Sequence, residues 1–220
     1  MITSQTRLRY RGLILDFAGV LTIGIRESQD AWCTEEGLTP GAWGSTLQNH
    51  PEGRRLYLAL EAGEIGQHEW NGRMAPLFGL DDSFNLMGRA WAAVGPAASM
   101  VDLARAARAK GMVLGLLSNS FGTDPFDPYA HCGIWDLFDV HVVSEREGVA
   151  KPDPAIYQRA LDRMQVPAEE CVFVDDNQLN LPPAVAVGMM TIHATDQADT
   201  VRRLAAAIGV PGNPATMEPS

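Results

Sequence analysis

The sequence predicts an α/β fold: a doubly wound, Rossmann-like parallel sheet with a small all-helical segment inserted after the first strand. Four short, continuously apolar runs indicate the strands, and polar residues follow each of them; the runs are residues 13–15, 112–117, 140–143 and 171–174. Short runs in which apolar and polar residues do not alternate are typical of strands buried on both faces, as in parallel sheets covered by helices. Helical patterns between the later runs imply right-handed crossovers.

The first predicted strand ends at Asp16 and passes into a loop that contains Gly19. A carboxylate in this position either terminates the strand or acts as a nucleophile. On its own, the pattern is typical of a strand that meets a turn. The nucleophile interpretation therefore depends on what the other strand ends contribute.

The strand pattern disappears between Thr22 and residue 112, where Gly and Pro separate several helical patterns. We predict five short helices there, near residues 27–36, 40–48, 52–62, 67–78 and 82–93. We therefore expect a helical insertion at residues 23–94 and a sheet-bearing core at residues 1–22 and 95–208. Three prolines after Gly209 predict a flexible tail over residues 209–220.

Two longer helices are predicted in the core. Residues 97–109 place Met100, Ala104 and Ala107 on one face, and residues 154–164 carry an apolar face of their own. The dipeptide Asp153-Pro154 is typical of an N-cap followed by the first helical position. We expect both helices to cover the sheet.

Composition and charge bound the classes of partner. The chain has 220 residues, of which 46% are hydrophobic, enough for one core and a smaller insertion. Its net charge of −10 argues against nucleic acid and anionic membrane surfaces, since binding them requires basic groups. Without an apolar stretch that could span a bilayer, or a signal-peptide core, the sequence predicts a cytoplasmic protein. Three widely spaced cysteines predict neither a disulfide framework nor a zinc site, and the oligomeric state is left open.

Polar side chains at the strand ends are expected to meet in one crevice, because the carboxyl ends of parallel strands share one edge of the sheet. These residues are Asp16, Ser118, Asn119, Asp175 and Asp176. Lys151 should join them from the loop at residues 148–154, and it is one of only two lysines beside fifteen arginines. Adjacent carboxylates in a crevice repel each other unless a cation shares them, so residues 175 and 176 favour a metal site.

Four motifs in this order resemble those of the haloacid dehalogenase (HAD) superfamily. They are the segment from Asp16 to Thr22, Ser118-Asn119 after a strand, Lys151 within Lys-Pro-Asp-Pro, and Asp175-Asp176 with Asn180 beyond. The resemblance covers residues 12–208 and places the insertion where subfamily I members carry a helical C1 cap. Residues 174–192 are most similar to the branch that contains the N-terminal phosphatase domain of soluble epoxide hydrolases.

The resemblance implies a Mg²⁺ ion held by the carboxylates of Asp16 and Asp176 and by the backbone carbonyl of Ala18. Mg²⁺ prefers such an oxygen-only ligand set. The resemblance also implies that Asp16 attacks phosphorus to form an aspartyl-phosphate, which water then hydrolyses. The implied activity is that of a phosphatase acting on a small phosphorylated metabolite.

The resemblance implies that the other motif residues bind the substrate or orient the groups that do the chemistry. Ser118 and Lys151 would act in catalysis beside Asp16, and together with Asn119 they would bind the substrate's phosphoryl oxygens. Asp175 and Asn180 would orient Lys151 and the waters of the metal. Each of these residues has a simpler alternative as a turn, cap or loop residue, and only their shared order favours the active site.

Ala18 departs from the family pattern. Phosphatases of the superfamily usually carry a second Asp two residues after the nucleophile, which protonates the leaving group and then activates water. Such general acid-base assistance is typically worth about a hundred- to ten-thousandfold in rate. Replacements in the cap are candidates, although a lone His or Glu on a short helix is more often structural; they are His50, His68, Glu61 and Glu64.

Alternative activities follow from this departure. Phosphonoacetaldehyde hydrolase also has Ala at this position but requires a cap lysine, and the sequence has none between Thr22 and Val94. Metal-free 2-haloacid dehalogenases lack paired acids like Asp175-Asp176, which makes that activity a distant alternative. A catalytically weak protein that binds a phosphorylated ligand or a protein partner stays open, although retention of the whole motif set favours the enzyme.

The cap should set specificity. Its tryptophans could line an apolar pocket, but in a small helical insertion they are more often core; they are Trp32, Trp43, Trp70 and Trp91. Its arginines could bind a second anionic group or could simply be solvated; they are Arg26, Arg54, Arg55, Arg73 and Arg89. The sequence names no substrate.

Overall fold

A computed structural model of the protein describes residues 9–210. Its main sheet has five parallel strands, β1 (Gly12–Leu15), β4 (Val113–Ser118), β5 (Val140–Val143), β6 (Cys171–Asp175) and β7 (Met190–His193). Their order across the sheet is β5-β4-β1-β6-β7. The central strand β1 pairs with β4 on one side and β6 on the other, so that Leu15 stands beside Leu116 and Val174. The predicted α/β parallel-sheet fold is confirmed.

Strand β7 is missing from the sequence-based prediction. It lies at one edge of the sheet and pairs only with β6. Of its four residues only Ile192 is buried. An edge strand that is half exposed carries no continuous apolar run, and the pattern that identified the other four strands therefore does not mark it.

Helices connect the parallel strands as predicted. Those of the core are α6 (Ala98–Ala109), α7 (Pro128–His131), α8 (Ser144–Glu147), α9 (Pro154–Met164), α10 (Leu181–Ala186) and α11 (Gln197–Ile208). Helix α9 has the predicted bounds, and the Asp153 side chain caps it by accepting a 2.8 Å hydrogen bond from the Ala155 N–H. Met100, Ala104 and Ala107 of α6 are buried together, which confirms the predicted face.

Between the first and second strands of the main sheet lies a helical segment. It contains α1 (Ile25–Glu35), α2 (Ala42–Asn49), α3 (Pro51–Glu61), α4 (Gln67–Phe78) and α5 (Leu86–Ala90). Helix α5 is shorter than predicted, because Asn85 accepts a hydrogen bond from Gly88 N–H and so caps a helix that starts only at Leu86. A two-stranded antiparallel ribbon, β2 (Thr22–Ile23) with β3 (Gly95–Pro96), closes the segment at its two ends. The domain bounds at residues 23 and 94 stay a prediction.

The tryptophans of the helical segment form its core, as favoured by the sequence. Trp32 packs edge-on against Trp43, with ring centroids 5.2 Å apart, and Trp43 in turn contacts Trp70 at 5.7 Å. Trp91 stacks on Phe17 in the loop after β1, at 6.1 Å. The three cysteines are unpaired and buried.

Only the first two residues of the predicted tail are described, and they belong to the end of the core. Gly209 ends α11 with φ +65°, and Val210 is buried against the core. The rest of the predicted tail, residues 211–220, lies outside the described residues. Across residues 9–210, no helix combines the length and the apolar character needed to cross a membrane.

Glu147 links α8 to α9, the two helices on either side of the Lys151 loop. It forms ion pairs with Arg159 and Arg163 at 3.1 and 2.6 Å. Burial alone would raise the pKa of Glu147, but hydrogen bonds from the two arginines outweigh burial and lower it. A carboxyl with a lowered pKa stabilises the fold above its unfolded pKa, and this contribution is lost as the pH falls through the folded value.

Glu147→Gln should therefore lower the free energy of unfolding at pH 7 by about 1 kcal/mol, a modest value because both arginines are half exposed. Urea unfolding at pH 7 and at pH 3 measures the effect, which should shrink at the lower pH. The exposed Glu169 serves as the control, through Glu169→Gln. An equal loss at both pH values would contradict this electrostatic account.

Candidate active site

Asp16 lies directly after β1, at the carboxyl edge of the sheet. Its N–H donates a 2.9 Å hydrogen bond to the Val174 carbonyl, which fixes its backbone against β6. Asp16 as a whole is only 7% exposed, and its Oδ1 lies 2.7 Å from the Nζ of Lys151. The central strand therefore presents a buried carboxylate that is already paired with a cation.

Lys151 is held at both its side chain and its backbone. The ammonium bridges two carboxylates, since Nζ is also 2.7 Å from Asp175 Oδ2. Asn119 clamps the backbone: its Oδ1 accepts from the Lys151 N–H at 2.8 Å and its Nδ2 donates to the Lys151 carbonyl at 2.9 Å. The Asn119 amide, predicted to bind substrate, is thus engaged in positioning the Lys151 loop.

Asp175 is completely buried and fully hydrogen-bonded. Besides Lys151, it accepts hydrogen bonds from Asn180 Nδ2 at 3.0 and 3.1 Å and from the Asn177 N–H at 2.8 Å. The Asn180 carbonyl accepts a hydrogen bond from Tyr157 at 2.7 Å, which ties this loop to α9. This arrangement suits the orienting role predicted for Asp175 and Asn180.

The three carboxylates Asp16, Asp175 and Asp176 each offer an oxygen within 4.8 Å of the others. Asp176 approaches the loop after Asp16 so closely that a Cβ on Gly19 would lie 2.5 Å from Asp176 Oδ2, and Gly19 has φ +76°. Glycine is therefore required there. Because Asp175 is committed to Lys151 and Asn180, the oxygens left for a cation belong to Asp16 and Asp176.

The charge balance of this cluster favours a further cation. Burial raises the pKa of Asp16 to about 7; Lys151 opposes the rise, while Asp175 and Asp176 add to it. Burial and Asp175 also raise the pKa of Asp176, against the effect of Lys151. One ammonium does not balance three neighbouring carboxylates, so a divalent cation would keep them ionised. The oxygen donors present fit Mg²⁺.

Ser118 ends β4 and is buried. Its Oγ accepts a 3.1 Å hydrogen bond from the hydroxyl of Tyr129, a residue of α7. The Ser118 hydroxyl in turn donates a long 3.4 Å hydrogen bond to the Asn119 carbonyl. The predicted contact to a phosphoryl oxygen would have to replace this bond, since a hydroxyl has one proton to donate. Tyr129 was missed from the sequence because it lies in a four-residue helix with no recognisable motif.

Ala18 lies in the turn after Asp16 and is half buried. Its methyl group cannot donate or accept a proton, so any general acid or base of the site must be a different residue. Its backbone carbonyl stays a predicted metal ligand.

The acid-base candidates of the helical segment differ in environment. His50 is exposed and caps α3, since its Nδ1 accepts from the Gly53 N–H at 3.3 Å. His68 is exposed and lies 3.3 Å from Asp124. Glu64 is exposed, whereas Glu61 is half buried at the end of α3. Among the four, Glu61 alone combines partial burial with a place at the face that meets the core.

The arginines proposed as anion contacts pair mostly with acids of the same helical segment. Arg55 and Arg73 both contact Glu52, at 2.6 and 3.1 Å. Arg89 pairs with Asp82 and Glu36. Arg26 and Arg54 are exposed, and Arg26 lies 3.9 Å from Asp30. These contacts favour the solvated interpretation over a second anion site.

Comparison with known sequences gives a family match over residues 10–188, to a hydrolase family described as haloacid dehalogenase-like hydrolase. The chain is 34% identical over 114 residues to a sesquiterpene phosphatase of Aspergillus oryzae, a match that covers 52% of this chain and 58% of that protein. It is 35% identical over 109 residues to bifunctional epoxide hydrolase 2 of Rattus norvegicus, covering 48% and 20% respectively. The chain thus spans less than two thirds of these relatives.

Two further likenesses extend the comparison. A glyceraldehyde 3-phosphate phosphatase of Methanocaldococcus jannaschii is 31% identical over 86 residues, covering 39% of this chain and 38% of that one. Among solved structures, a HAD-family enzyme of Bacteroides thetaiotaomicron in complex with magnesium and inorganic phosphate aligns with a TM-score of 0.60 at 22% identity, over 85% of this chain and 96% of that chain.

An L-2-haloacid dehalogenase aligns with a TM-score of 0.65 at 21% identity, over 90% of this chain and 99% of that chain. At such identities the structural likenesses show a shared fold and do not separate phosphatase from dehalogenase. The family match covers most of the chain, and its motifs stand together at the carboxyl edge of the sheet. The chain belongs to the haloacid dehalogenase-like hydrolase family.

Proposed function

We propose that this hydrolase is a Mg²⁺-dependent phosphatase that acts on a small phosphorylated molecule through an aspartyl-phosphate at Asp16, with the helical segment at residues 23–94 as its cap. The observation that carries the proposal is the arrangement of Asp16, Lys151 and Asp175, in which one buried ammonium lies 2.7 Å from both carboxylates. A phosphoryl group bound beside Asp16 would also contact this ammonium, which would stabilise its negative charge.

The chain's own groups divide the work of the first step. An oxygen of Asp16 bonds to phosphorus while the bond from phosphorus to the leaving-group oxygen breaks, and that oxygen takes up a proton. Lys151 and the Ser118 hydroxyl stabilise the charge on the phosphoryl oxygens. In the second step water displaces Asp16 from phosphorus, which releases inorganic phosphate and restores the carboxylate.

Asp16, Asp176 and the Ala18 carbonyl would hold the metal. Mg²⁺ bound there would neutralise phosphoryl charge and thereby allow an anionic nucleophile to approach an anionic substrate. Asp175 and Asn180 support this site indirectly, because they hold Lys151 at a fixed position beside Asp16.

The substrate class rests on the relatives. By their names, the sesquiterpene phosphatase and the glyceraldehyde 3-phosphate phosphatase both act on small phosphorylated molecules. Partners of other classes are not favoured, since a chain with a net charge of −10 does not attract nucleic acid or anionic membranes. The cytoplasmic location stays a prediction.

Two alternatives from the sequence stay in competition. A binding protein without turnover would have no use for a buried carboxylate paired with a lysine at the central strand. A dehalogenase would have no use for Asp176 placed against the nucleophile loop, 2.5 Å from where a Gly19 Cβ would stand. Both contacts favour the phosphatase.

A panel of phosphorylated metabolites and p-nitrophenyl phosphate tests the proposal, assayed with Mg²⁺ and with EDTA. We expect phosphate release in Mg²⁺ that falls to background in EDTA, together with an acid-stable, hydroxylamine-sensitive phosphoenzyme. The same protein assayed with a 2-haloacid provides the comparison for the dehalogenase. Ligand binding without phosphate release would support the binding protein, and halide release would support the dehalogenase.

A further inference from the structure

We propose that Glu61, at the end of cap helix α3 with Tyr57 beside it, supplies the proton to the leaving group and later accepts one from the attacking water, in place of the acid that is missing at Ala18. This inference rests on the phosphatase function proposed above. It assigns to the cap a part of the chemistry that the loop after Asp16 does not provide.

The backbone of Glu61 is anchored to the carboxyl edge of the main sheet. The Ser144 hydroxyl donates a 2.5 Å hydrogen bond to the Glu61 carbonyl and accepts one of 2.9 Å from the Ser120 N–H. Ser120 lies two residues beyond Ser118. The end of α3 is therefore joined, through a single hydroxyl, to the loop that carries the predicted phosphoryl contact.

The cap and the core are in direct contact just beyond Glu61. Gly63 has φ +72°, and a Cβ on it would lie 2.3 Å from the backbone carbonyl oxygen of Glu145. No side chain could be accommodated between the two backbones here. This close contact, together with the Ser144 bridge, fixes the position of Glu61 relative to the core instead of leaving it on a free helix end.

The Glu61 side chain interacts with the catalytic centre through its charge. Its carboxyl is half buried and interacts by a hydrogen bond with the hydroxyl of Tyr57, one helical turn earlier. The charge of Lys151 acts on Glu61, and the charge of Asp16 acts on Tyr57. These are the two members of the buried ion pair at the end of β1, so Glu61 and Tyr57 both lie within electrostatic range of that pair.

The environment suits a group that both gives and takes a proton. Burial raises the pKa of Glu61, while the hydrogen bond from Tyr57 and the charge of Lys151 moderate the rise. A carboxyl with a raised pKa retains its proton closer to neutral pH, as a general acid requires. Tyr57 itself stays a donor, because burial and then the charge of Glu61 raise its pKa.

The proton balance is complete with this one residue. In the first step the Glu61 carboxylic acid donates its proton to the leaving-group oxygen as phosphorus transfers to Asp16. The resulting Glu61 carboxylate accepts a proton from the water that attacks the aspartyl-phosphate, which regenerates the carboxylic acid. The net reaction consumes one ester and one water and yields one alcohol and one phosphate.

Glu61→Gln is the primary test, with Glu64→Gln as the matched control on the exposed side of the same segment. The substrates are p-nitrophenyl phosphate, whose leaving group needs little protonation, and phenyl phosphate, whose leaving group needs more. For Glu61→Gln we expect kcat/KM to fall about a hundredfold with phenyl phosphate, and by far less with p-nitrophenyl phosphate. The phosphoenzyme should accumulate with p-nitrophenyl phosphate, since water is no longer activated.

A second variant keeps the test independent of a structural effect at position 61. Adding Ala18→Asp to Glu61→Gln should restore part of the lost activity on phenyl phosphate, because it places an acid two residues after the nucleophile, where phosphatases of the superfamily usually carry one. Equal losses with both substrates, or no difference between the substitutions at residues 61 and 64, would overturn the assignment. If the unchanged protein shows no Mg²⁺-dependent turnover of either substrate, the proposed function fails, and this inference fails with it.

Discussion

Asp16→Asn is expected to abolish phosphate release and to eliminate the phosphoenzyme. An amide keeps the shape of the side chain but is a poor nucleophile, so no bond forms to phosphorus. It also removes one of the two carboxylates left for a cation and one partner of the Lys151 ammonium. Replacing a nucleophile in this way typically costs at least about 10⁴-fold in kcat.

The experiment compares steady-state turnover of p-nitrophenyl phosphate and trapping of radioactive phosphate on the protein. Asp81→Asn makes the same chemical change at an exposed position and should retain full activity. Thermal unfolding of both variants separates loss of chemistry from loss of fold. Substantial turnover by Asp16→Asn, with a trapped phosphoenzyme, would show that another residue accepts the phosphoryl group.

The parts of the fold that the sequence predicts are those in which one physical rule dominates. Strand β1 is buried on both faces and therefore reads as an uninterrupted apolar run before Asp16. Helix α9 starts where a side-chain cap and a proline coincide, at Asp153 and Pro154, and its bounds were predicted without error. Local sequence decides such features, so a single chain suffices to locate them.

Other features depend on tertiary contacts that the sequence does not display. Strand β7 forms at a half-exposed edge, where pairing with β6 replaces the hydrophobic signal. Asn119 stands in a recognisable motif, yet only the structure shows that its amide clamps the Lys151 backbone. Glu61 could not be separated from Glu64 until the docking of α3 against Ser144 was known.

In the candidate active site, too, some features follow from the sequence and others depend on tertiary contacts. Convergence of Asp16 and Asp175 follows from parallel topology, because residues at the carboxyl ends of the neighbouring strands β1 and β6 must meet. Lys151 joins them from the loop between α8 and α9. The hydrogen bond from Tyr129 to Ser118 follows from no such rule, since it depends on how the loop after β4 folds back. Sequence thus predicts which residues assemble, and the structure shows what holds each one in place.

Lys151→Met is expected to reduce both stability and activity, because it removes the ammonium between two buried carboxylates. Asp16 and Asp175 would then stand in a desolvated site with no positive side chain between them. Breaking a buried ion pair from one side typically costs about 3–5 kcal/mol of unfolding free energy. Phosphate release should also fall to background, since the phosphoryl oxygens lose their main positive contact.

Lys110→Met is a close control, because these are the only two lysines of the chain. Lys110 is exposed at the end of α6, where its ammonium contacts the Gly209 carbonyl. Surface substitutions of this kind usually change stability by less than about 0.5 kcal/mol. Urea unfolding of both variants at pH 7 should therefore give a large difference between them.

The pH dependence of the Lys151→Met loss identifies its cause. Lys151 lowers the pKa of Asp16 against the effect of burial, so without the ammonium this pKa should rise further in the folded protein. Folding then becomes more favourable as Asp16 takes up a proton. The stability deficit should consequently be largest at neutral pH and should diminish towards pH 5. A deficit that does not change with pH would indicate lost packing of the lysine stem, and would remove the electrostatic argument for a cation at this edge of the sheet.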